Sequence, residues 1–132
     1  MSITLNGGSG MPVWADLTPQ EQCVLFAAAE SSLLYELLRI WRPGLDWDEE
    51  SPLPYIPELA AAITSLADAG LINAYLDDSD TPLPTEQVSE AVADPNTWGI
   101  DYEQRHQVEL TPTASGGEVL SSASDVYSFR NR

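Results

Sequence analysis

The chain has 132 residues, 43% of them hydrophobic, and a formal net charge of −16 from 21 acidic residues and five arginines. Its length and apolar content predict a single domain with a hydrophobic core. The charge disfavours nucleic acid and anionic membranes as partners, and the lack of lysine excludes a phosphate-binding Gly-Lys-Ser/Thr loop.

Residues 1–16 are predicted to form a flexible leader or an edge strand, because residues 2–5 alternate weakly and the Asn-Gly-Gly-Ser-Gly run at 6–10 interrupts regular structure. This segment lacks the basic and apolar regions of a signal peptide. No stretch of the chain approaches the ~18 apolar residues of a membrane span. Cys23 is the single cysteine, so an intrachain disulfide is excluded, and its apolar surroundings predict a buried side chain. Together these features predict a cytoplasmic protein.

The first helix is predicted to begin at Pro19. Thr18 can cap it, proline suits the first helical position, and Glu21 can complete a capping box. The helical pattern continues to Pro43, with a bend or break near Ser31. The apolar positions of this pattern are Val24, Leu25, Ala28, Leu34, Leu37, Leu38 and Trp41.

A second helix is predicted after the acidic, proline-rich loop 46–57. Its first turn holds Pro57, and Gly70 stands where a left-handed C-cap belongs. Its buried stripe consists of Leu59, Ile63 and Leu66.

The rest of the chain predicts strands at 71–76 and 107–111, with a short helix between them that Thr85 caps and that runs to Ala93. Turns are predicted at 81–84 and 94–99, and a short helix at 113–122.

The order of these elements resembles a bacterial winged helix-turn-helix domain. The helix 59–66 followed by Ala-Gly-Leu-Ile at 69–72 resembles a recognition helix that leads into the first wing strand. Thr113, Gly116 and Leu120 match the Thr-x-x-Gly-x-x-x-Leu pattern that commonly follows the returning strand.

The resemblance implies an α+β fold with a long N-terminal helix and a second helix that leads into a two-stranded wing. The winged-helix-like domain would cover residues 17–124. Within it, residues 77–106 would form an acidic wing insertion that contains a short helix, and residues 125–132 would form a C-terminal tail.

Two features argue against DNA binding by this domain itself. The candidate recognition helix offers Glu58, Thr64, Ser65 and Asp68 as polar groups, without arginine or lysine to contact phosphate or guanine. The chain also carries fourteen acids and no fixed positive charge between Arg42 and Arg105. The acids of the wing insertion are Asp77, Asp78, Asp80, Glu86, Glu90, Asp94, Asp101 and Glu103.

No catalytic, metal or cofactor site is expected. The acidic clusters at 46–50 and 77–80 lack the ligand spacing and glycine of a calcium loop, and His106 is the single histidine. A Cys23/His106 nucleophilic pair is disfavoured, because Cys23 has no electropositive setting to lower its thiol pKa. The clusters are either solvated loops or a strip for basic side chains of a partner.

The tryptophans and tyrosines of the acidic and turn-rich segments either cover the ends of the core or anchor an interface. Large aromatics dominate association hot spots. The candidate partner-binding residues are the aromatics Trp47, Tyr55 and Trp98 and the acids Asp48, Glu49, Glu50, Asp77, Asp78 and Asp80.

The sequence therefore predicts a non-catalytic, acidic protein-interaction module that binds a protein with a basic surface and contacts neither nucleic acid nor membrane. A first alternative is a nucleic-acid-mimicking inhibitor of a basic-groove protein, as some phage and antitoxin proteins are; regularly spaced carboxylates on one face would favour it. A second is a dimeric transcription regulator with a cationic surface from Arg39, Arg42 and Arg105. The oligomeric state stays open, a homodimer included.

Overall fold

The computed structural model describes residues 13–44, 51, 53–77, 79–98 and 107–122. In these ranges the protein is α+β, as predicted, with five α-helices and a two-stranded antiparallel sheet. The elements are α1 (Pro19–Ala29), α2 (Leu34–Trp41), α3 (Ile56–Asp68), β1 (Ile72–Leu76), α4 (Thr85–Ala93), β2 (Val108–Pro112) and α5 (Ala114–Ser121). Short 3-10 helices lie at Trp14–Asp16, Leu53–Tyr55 and Pro95–Trp98.

Helix α1 begins with the predicted capping box. The hydroxyl of Thr18 accepts a hydrogen bond from the backbone N–H of Glu21 at 3.1 Å, and the Glu21 carboxylate accepts one from the N–H of Thr18 at 2.9 Å. The predicted break is also confirmed. The chain leaves α1 at Ala29, Ser31 adopts a left-handed conformation with φ of 55°, and α2 begins at Leu34.

Helix α3 is followed, as predicted, by a left-handed Gly70, which has φ of 77° and stands directly after the C-cap Ala69. The N–H of Gly70 donates to the carbonyl of Ala67 at 3.0 Å, and the N–H of Leu71 donates to that of Leu66 at 2.9 Å. This pair of bonds is a Schellman motif, which satisfies carbonyls at the helix end and turns the chain into β1. The predicted stripe of Leu59, Ile63 and Leu66 is buried.

Strands β1 and β2 pair from Ile72 opposite Pro112 to Leu76 opposite Val108. The segment between α1 and α2 lies along the outer edge of β2, where Leu33 forms a bridge with Glu109. On the outer edge of β1, the N–H of Leu83 donates to the carbonyl of Ala74 at 2.7 Å. The chain that follows β1 therefore folds back along the strand it has just left.

Helix α4 lies in this returning segment and packs along α3, which contacts α1 as well. Val88 and Val92 are the buried residues of α4. Thr85 is the first residue of the helix and not its cap, which corrects the prediction. The N-cap position is taken by Pro84, whose extended backbone (φ −56°, ψ 146°) precedes the first turn.

The N-terminal boundary of the folded body lies earlier than predicted. Residues 14–16 form a 3-10 helix, and Trp14 is buried in the core. Its N–H donates to the hydroxyl of Ser122 at 3.1 Å, and its carbonyl accepts a bond from the Gln22 amide at 2.9 Å. Cys23 is buried, as predicted. The leader up to residue 12 and the tail 125–132 lie outside the described residues.

Candidate functional site

An open groove of ≈ 280 Å³ lies where the end of β1 meets α4 and the 3-10 helix Pro95–Trp98. All of its residues come from the end of β1 and the segment that follows it, within the predicted wing insertion or next to it. They are Leu76, Asp77, Leu83, Gln87, Glu90, Ala91, Asp94 and Thr97.

Apolar side chains form one part of the groove. Leu76, Leu83 and Ala91 are half-buried and pack against the hydrophobic core. The bond from Leu83 to the carbonyl of Ala74 fixes the position of Leu83 beside β1. The groove therefore offers a partner an apolar surface that is held in place by the sheet and by α4.

Asp77 stands at the strand end of the groove, in a left-handed conformation with φ of 51°. Its N–H donates to the carbonyl of Gln107 at 2.8 Å, and its carboxylate accepts a bond from the N–H of Gln107 at 2.8 Å. Aspartate is among the few residues other than glycine that visit this conformation, because its short side chain can hydrogen-bond locally. These bonds close the strand pair and fix a carboxylate at the groove.

Two further carboxylates, those of Glu90 and Asp94, line the groove at the C-terminal end of α4. Glu90 lies in the last turn of α4, and Asp94 is the C-cap, whose backbone is extended (φ −80°, ψ 118°). The C-terminal end of a helix carries partial negative charge, so acidic side chains there destabilise the helix and cations stabilise it. The last turn of α4 contains no basic residue. The groove therefore carries acidic residues at both of its ends.

Thr97 closes the groove beneath the end of α4. Its hydroxyl lies 2.9 Å from the carbonyl oxygen of Ala91 and 2.8 Å from that of Asp94. The side chain is buried, and these contacts tie the 3-10 helix to the last turn of α4. The groove is therefore built on fixed backbone at this end.

The predicted role of Trp98 as a surface anchor is wrong. Trp98 is 0% exposed and belongs to the hydrophobic core. Its indole N–H donates to the carbonyl of Val92 at 2.7 Å, which satisfies the polar group of a buried tryptophan. The cause is the 3-10 helix, which turns the chain back under α4 directly after Asp94.

Of the other predicted partner-binding residues that the structure describes, Asp77 lines the groove and Tyr55 and Asp80 do not. Asp80 is exposed. Tyr55 is half-buried, and the guanidinium of Arg42 stacks over its ring at 4.7 Å from the centroid and donates a hydrogen bond to its hydroxyl. The remaining candidates lie outside the described residues; they are Trp47, Asp48, Glu49, Glu50 and Asp78.

The outer face of α3 is occupied by hydrogen bonds within the chain. The Glu58 carboxylate accepts a bond from the indole N–H of Trp41 at 3.0 Å and one from the Gln20 amide at 3.4 Å. The hydroxyl of Ser65 donates to the Glu21 carboxylate at 2.8 Å. Glu58 and Ser65, two of the four polar residues of the predicted recognition helix, thus join it to α1 and α2.

Among the residues that the structure describes, no three histidine, cysteine, aspartate or glutamate side chains are grouped so that they could hold a metal ion. In the same ranges, no helix is both long enough and apolar enough to cross a membrane.

Comparison with family models, with curated proteins and with solved structures found no match. What the chain does is therefore inferred from its own residues.

Proposed function

We propose that the chain is a non-catalytic protein-interaction module of winged-helix type that does not bind DNA by itself. The order of its elements supports the winged-helix assignment. Three helices precede an antiparallel strand pair, and the segment at Leu33 adds a short third element to the sheet. The Thr-x-x-Gly pattern that carries the resemblance follows β2 directly and begins α5.

The observation that carries the proposed function is the groove beside α4. It combines the apolar side chains of Leu76, Leu83 and Ala91 with carboxylates at three positions. Solvated acidic loops need no apolar surface, whereas association surfaces combine an apolar part with polar groups that set specificity. The combination therefore favours recognition of a protein over mere solubility.

The environment of α3 supports the absence of DNA binding. The helix is flanked by α1 and α4, carries no arginine or lysine, and exposes the acids Glu58 and Asp68. In the part of the chain that the structure describes, Arg39 and Arg42 each lie over a tyrosine ring. A net charge of −16 leaves little cationic surface to release counterions from duplex DNA.

A nucleic-acid mimic is the second candidate, because α4 carries carboxylates at a regular spacing. Glu86 and Glu90 stand four residues apart in α4, about 6 Å along the helix axis, and Asp94 follows four residues later at the C-cap. A mimic would present this row of charges alone. The apolar surface beside Glu90 and Asp94 favours the interaction module.

Two measurements test the proposal. Affinity purification of the tagged full chain from its native cells, followed by mass spectrometry, should retain a protein with a basic segment at about 0.15 M salt. Fluorescence anisotropy with a labelled duplex should show no binding at micromolar protein concentration in the same buffer. Submicromolar affinity for the duplex would contradict the proposal.

Salt dependence separates the two candidates. A mimic binds through exposed charge pairs, so its affinity for the retained protein should fall steeply between about 0.15 and 0.5 M salt. The interaction module should keep most of its affinity over this range, because apolar contact contributes to it.

A further inference from the structure

We infer that two copies of the chain can exchange the segment that ends with α1, by opening the hinge (residues 30–33) between α1 and α2. In the exchanged dimer, α1 and α2 form one continuous helix, and the α1 of each copy packs in the core of the other. The partner at this surface is thus a second copy of the chain. The exchange is independent of the proposed function.

The hinge holds a serine in a conformation that serine rarely adopts. The N–H of Ser31 donates to the carbonyl of Ala28 at 2.9 Å, and the N–H of Ser32 donates to that of Ala27 at 3.3 Å. These bonds form a Schellman motif, in which the left-handed position is usually glycine. Ser31 occupies that position with φ of 55°, so it carries the strain that a Cβ atom brings there.

The turn after α3 has the same motif without this strain, because its left-handed residue is Gly70. Among the non-glycine residues that the structure describes, Ser31 and Asp77 have a positive φ. Aspartate visits the left-handed conformation more readily than serine does. The hinge at Ser31 is therefore the place where a return to helical backbone relieves the most strain.

The sequence through the hinge can continue a helix. Residues 20–42 contain neither proline nor glycine, the residues that interrupt helices most strongly, and the hinge itself reads Glu-Ser-Ser-Leu. In a straight helix, the carbonyls of Ala27 and Ala28 keep partners in the N–H groups four residues on. A short, strained hinge that can straighten is a feature that promotes domain exchange.

Helix α1 suits an exchange because it is buried on every side. Residues 23–28 are only 0–7% exposed, and the helix packs against α2, α3, β2 and α5. In the exchanged dimer these contacts form again with the α2, α3, β2 and α5 of the other copy. The buried apolar surface of the monomer is therefore retained.

Straightening of the hinge removes its contacts with β2. The carbonyl of Ser32 accepts a bond from the N–H of Leu110 at 2.9 Å, and Leu33 forms a bridge with Glu109. The net charge of −16 on each chain also opposes association, most strongly at low salt. We therefore expect the exchanged dimer at high protein concentration and high salt.

The test is refolding of the full chain from urea at about 1 mM protein and about 0.5 M salt, followed by size-exclusion chromatography with light scattering. The wild type should contain a dimer. Ser31→Gly relieves the strain of the hinge and weakens a continuous helix, so it should lower the dimerisation constant at least about tenfold, since each dimer contains two hinges. Ser31→Ala strengthens the continuous helix and should raise the constant about fivefold.

Ser89→Gly is the matched control, because it makes the same substitution at an exposed position within α4. It should lower the stability of monomer and dimer alike and change the dimerisation constant less than about twofold. A dimer that forms as readily in Ser31→Gly as in the wild type would overturn the inference. The absence of a dimer in both the wild type and Ser31→Ala would also overturn it.

NMR spectra of the ¹⁵N-labelled dimer and of the monomer, refolded at about 10 μM, distinguish exchange from contact between two surfaces. An exchanged dimer keeps the contacts outside its hinge. Backbone amide shifts should therefore differ at residues 30–33 and at Glu109 and Leu110, and should coincide in α3 and α4. Differences confined to a surface away from the hinge would show an ordinary surface dimer and contradict the exchange.

Discussion

The hydroxyl of Thr113 donates a hydrogen bond to the carbonyl oxygen of Gly70, 2.7 Å away. The hydroxyl oxygen of Thr113 also accepts a bond from the backbone N–H of Gly116 at 3.0 Å and so caps α5. The backbone N–H of Thr113 donates to the carbonyl of Leu71 at 3.0 Å. One residue thus joins the turn between α3 and β1 to the start of α5, which gives the first position of the Thr-x-x-Gly pattern a structural reason.

Thr113→Val should lower the free energy of unfolding by about 1–3 kcal/mol, because it removes the cap of α5 and the bond to Gly70 while keeping the side-chain volume. Urea denaturation measures the change. Thr64→Val is the matched control, since the Thr64 hydroxyl donates to the carbonyl of Ala60 in its own helix. An equal loss in both variants would contradict the special role of Thr113.

Gly116 is required because α5 approaches the α3–β1 turn closely. A Cβ atom at this position would lie 2.0 Å from the carbonyl oxygen of Leu71, whereas one at Gly117 would meet nothing within 4 Å. Gly116→Ala should therefore destabilise the protein by about 3 kcal/mol.

Gly117→Ala, the control in the same helix, should be stabilising by about 0.5–1 kcal/mol through its higher helix propensity. Thermal unfolding of the two variants measures this difference. Similar melting temperatures would mean that α5 does not sit against Leu71.

Substitution of Gly70 should lower the free energy of unfolding through strain in the left-handed backbone alone. Its φ is 77°, and a Cβ atom there would meet nothing within 4 Å. Gly70→Ala should lower the unfolding free energy by about 1–2 kcal/mol, whereas Gly70→Asn should lower it less, because asparagine tolerates the left-handed conformation. An equal loss for both, measured by urea denaturation, would disagree with left-handed strain as the cause.

Local signals of the sequence account for the elements that were predicted correctly. The capping box at Thr18, the break near Ser31 and the left-handed end at Gly70 each depend on residues within a few positions of one another. Their conformational preferences are set by local hydrogen bonds and backbone sterics and so can be recognised in the sequence.

The groove and the burial of Trp98 depend on contacts between distant parts of the chain. The return of Leu83 to Ala74 and the packing of α4 on α3 decide which side of the insertion faces solvent. No residue pattern within the insertion predicts which of its sides faces solvent. The visible signal of the site was the pair of acids at the end of the predicted helix, Glu90 within it and Asp94 in the turn that follows.

Trp98→Ala should cost about 3–5 kcal/mol of unfolding free energy, as the removal of a large buried side chain does. Trp98→Phe should cost less, because it keeps most of the buried aromatic surface, although it loses the bond to the carbonyl of Val92. Denaturation curves of the two variants measure these changes. Near-wild-type stability of Trp98→Ala, combined with loss of partner binding, would restore Trp98 as an interface residue.

Site-specific photocrosslinking in the native cells tests most directly whether the groove beside α4 binds a protein and whether α3 contacts DNA. A benzophenone amino acid would replace Gln87, which is exposed and lines the groove, and in a second variant Ser65, which is exposed on the outer face of α3. Mass spectrometry after digestion with a protease that does not cut at arginine identifies what each position captures. We expect Gln87 to capture a single protein through a basic segment, and Ser65 to capture neither that protein nor DNA. Capture of DNA from Ser65, with no protein captured from Gln87, would contradict the account.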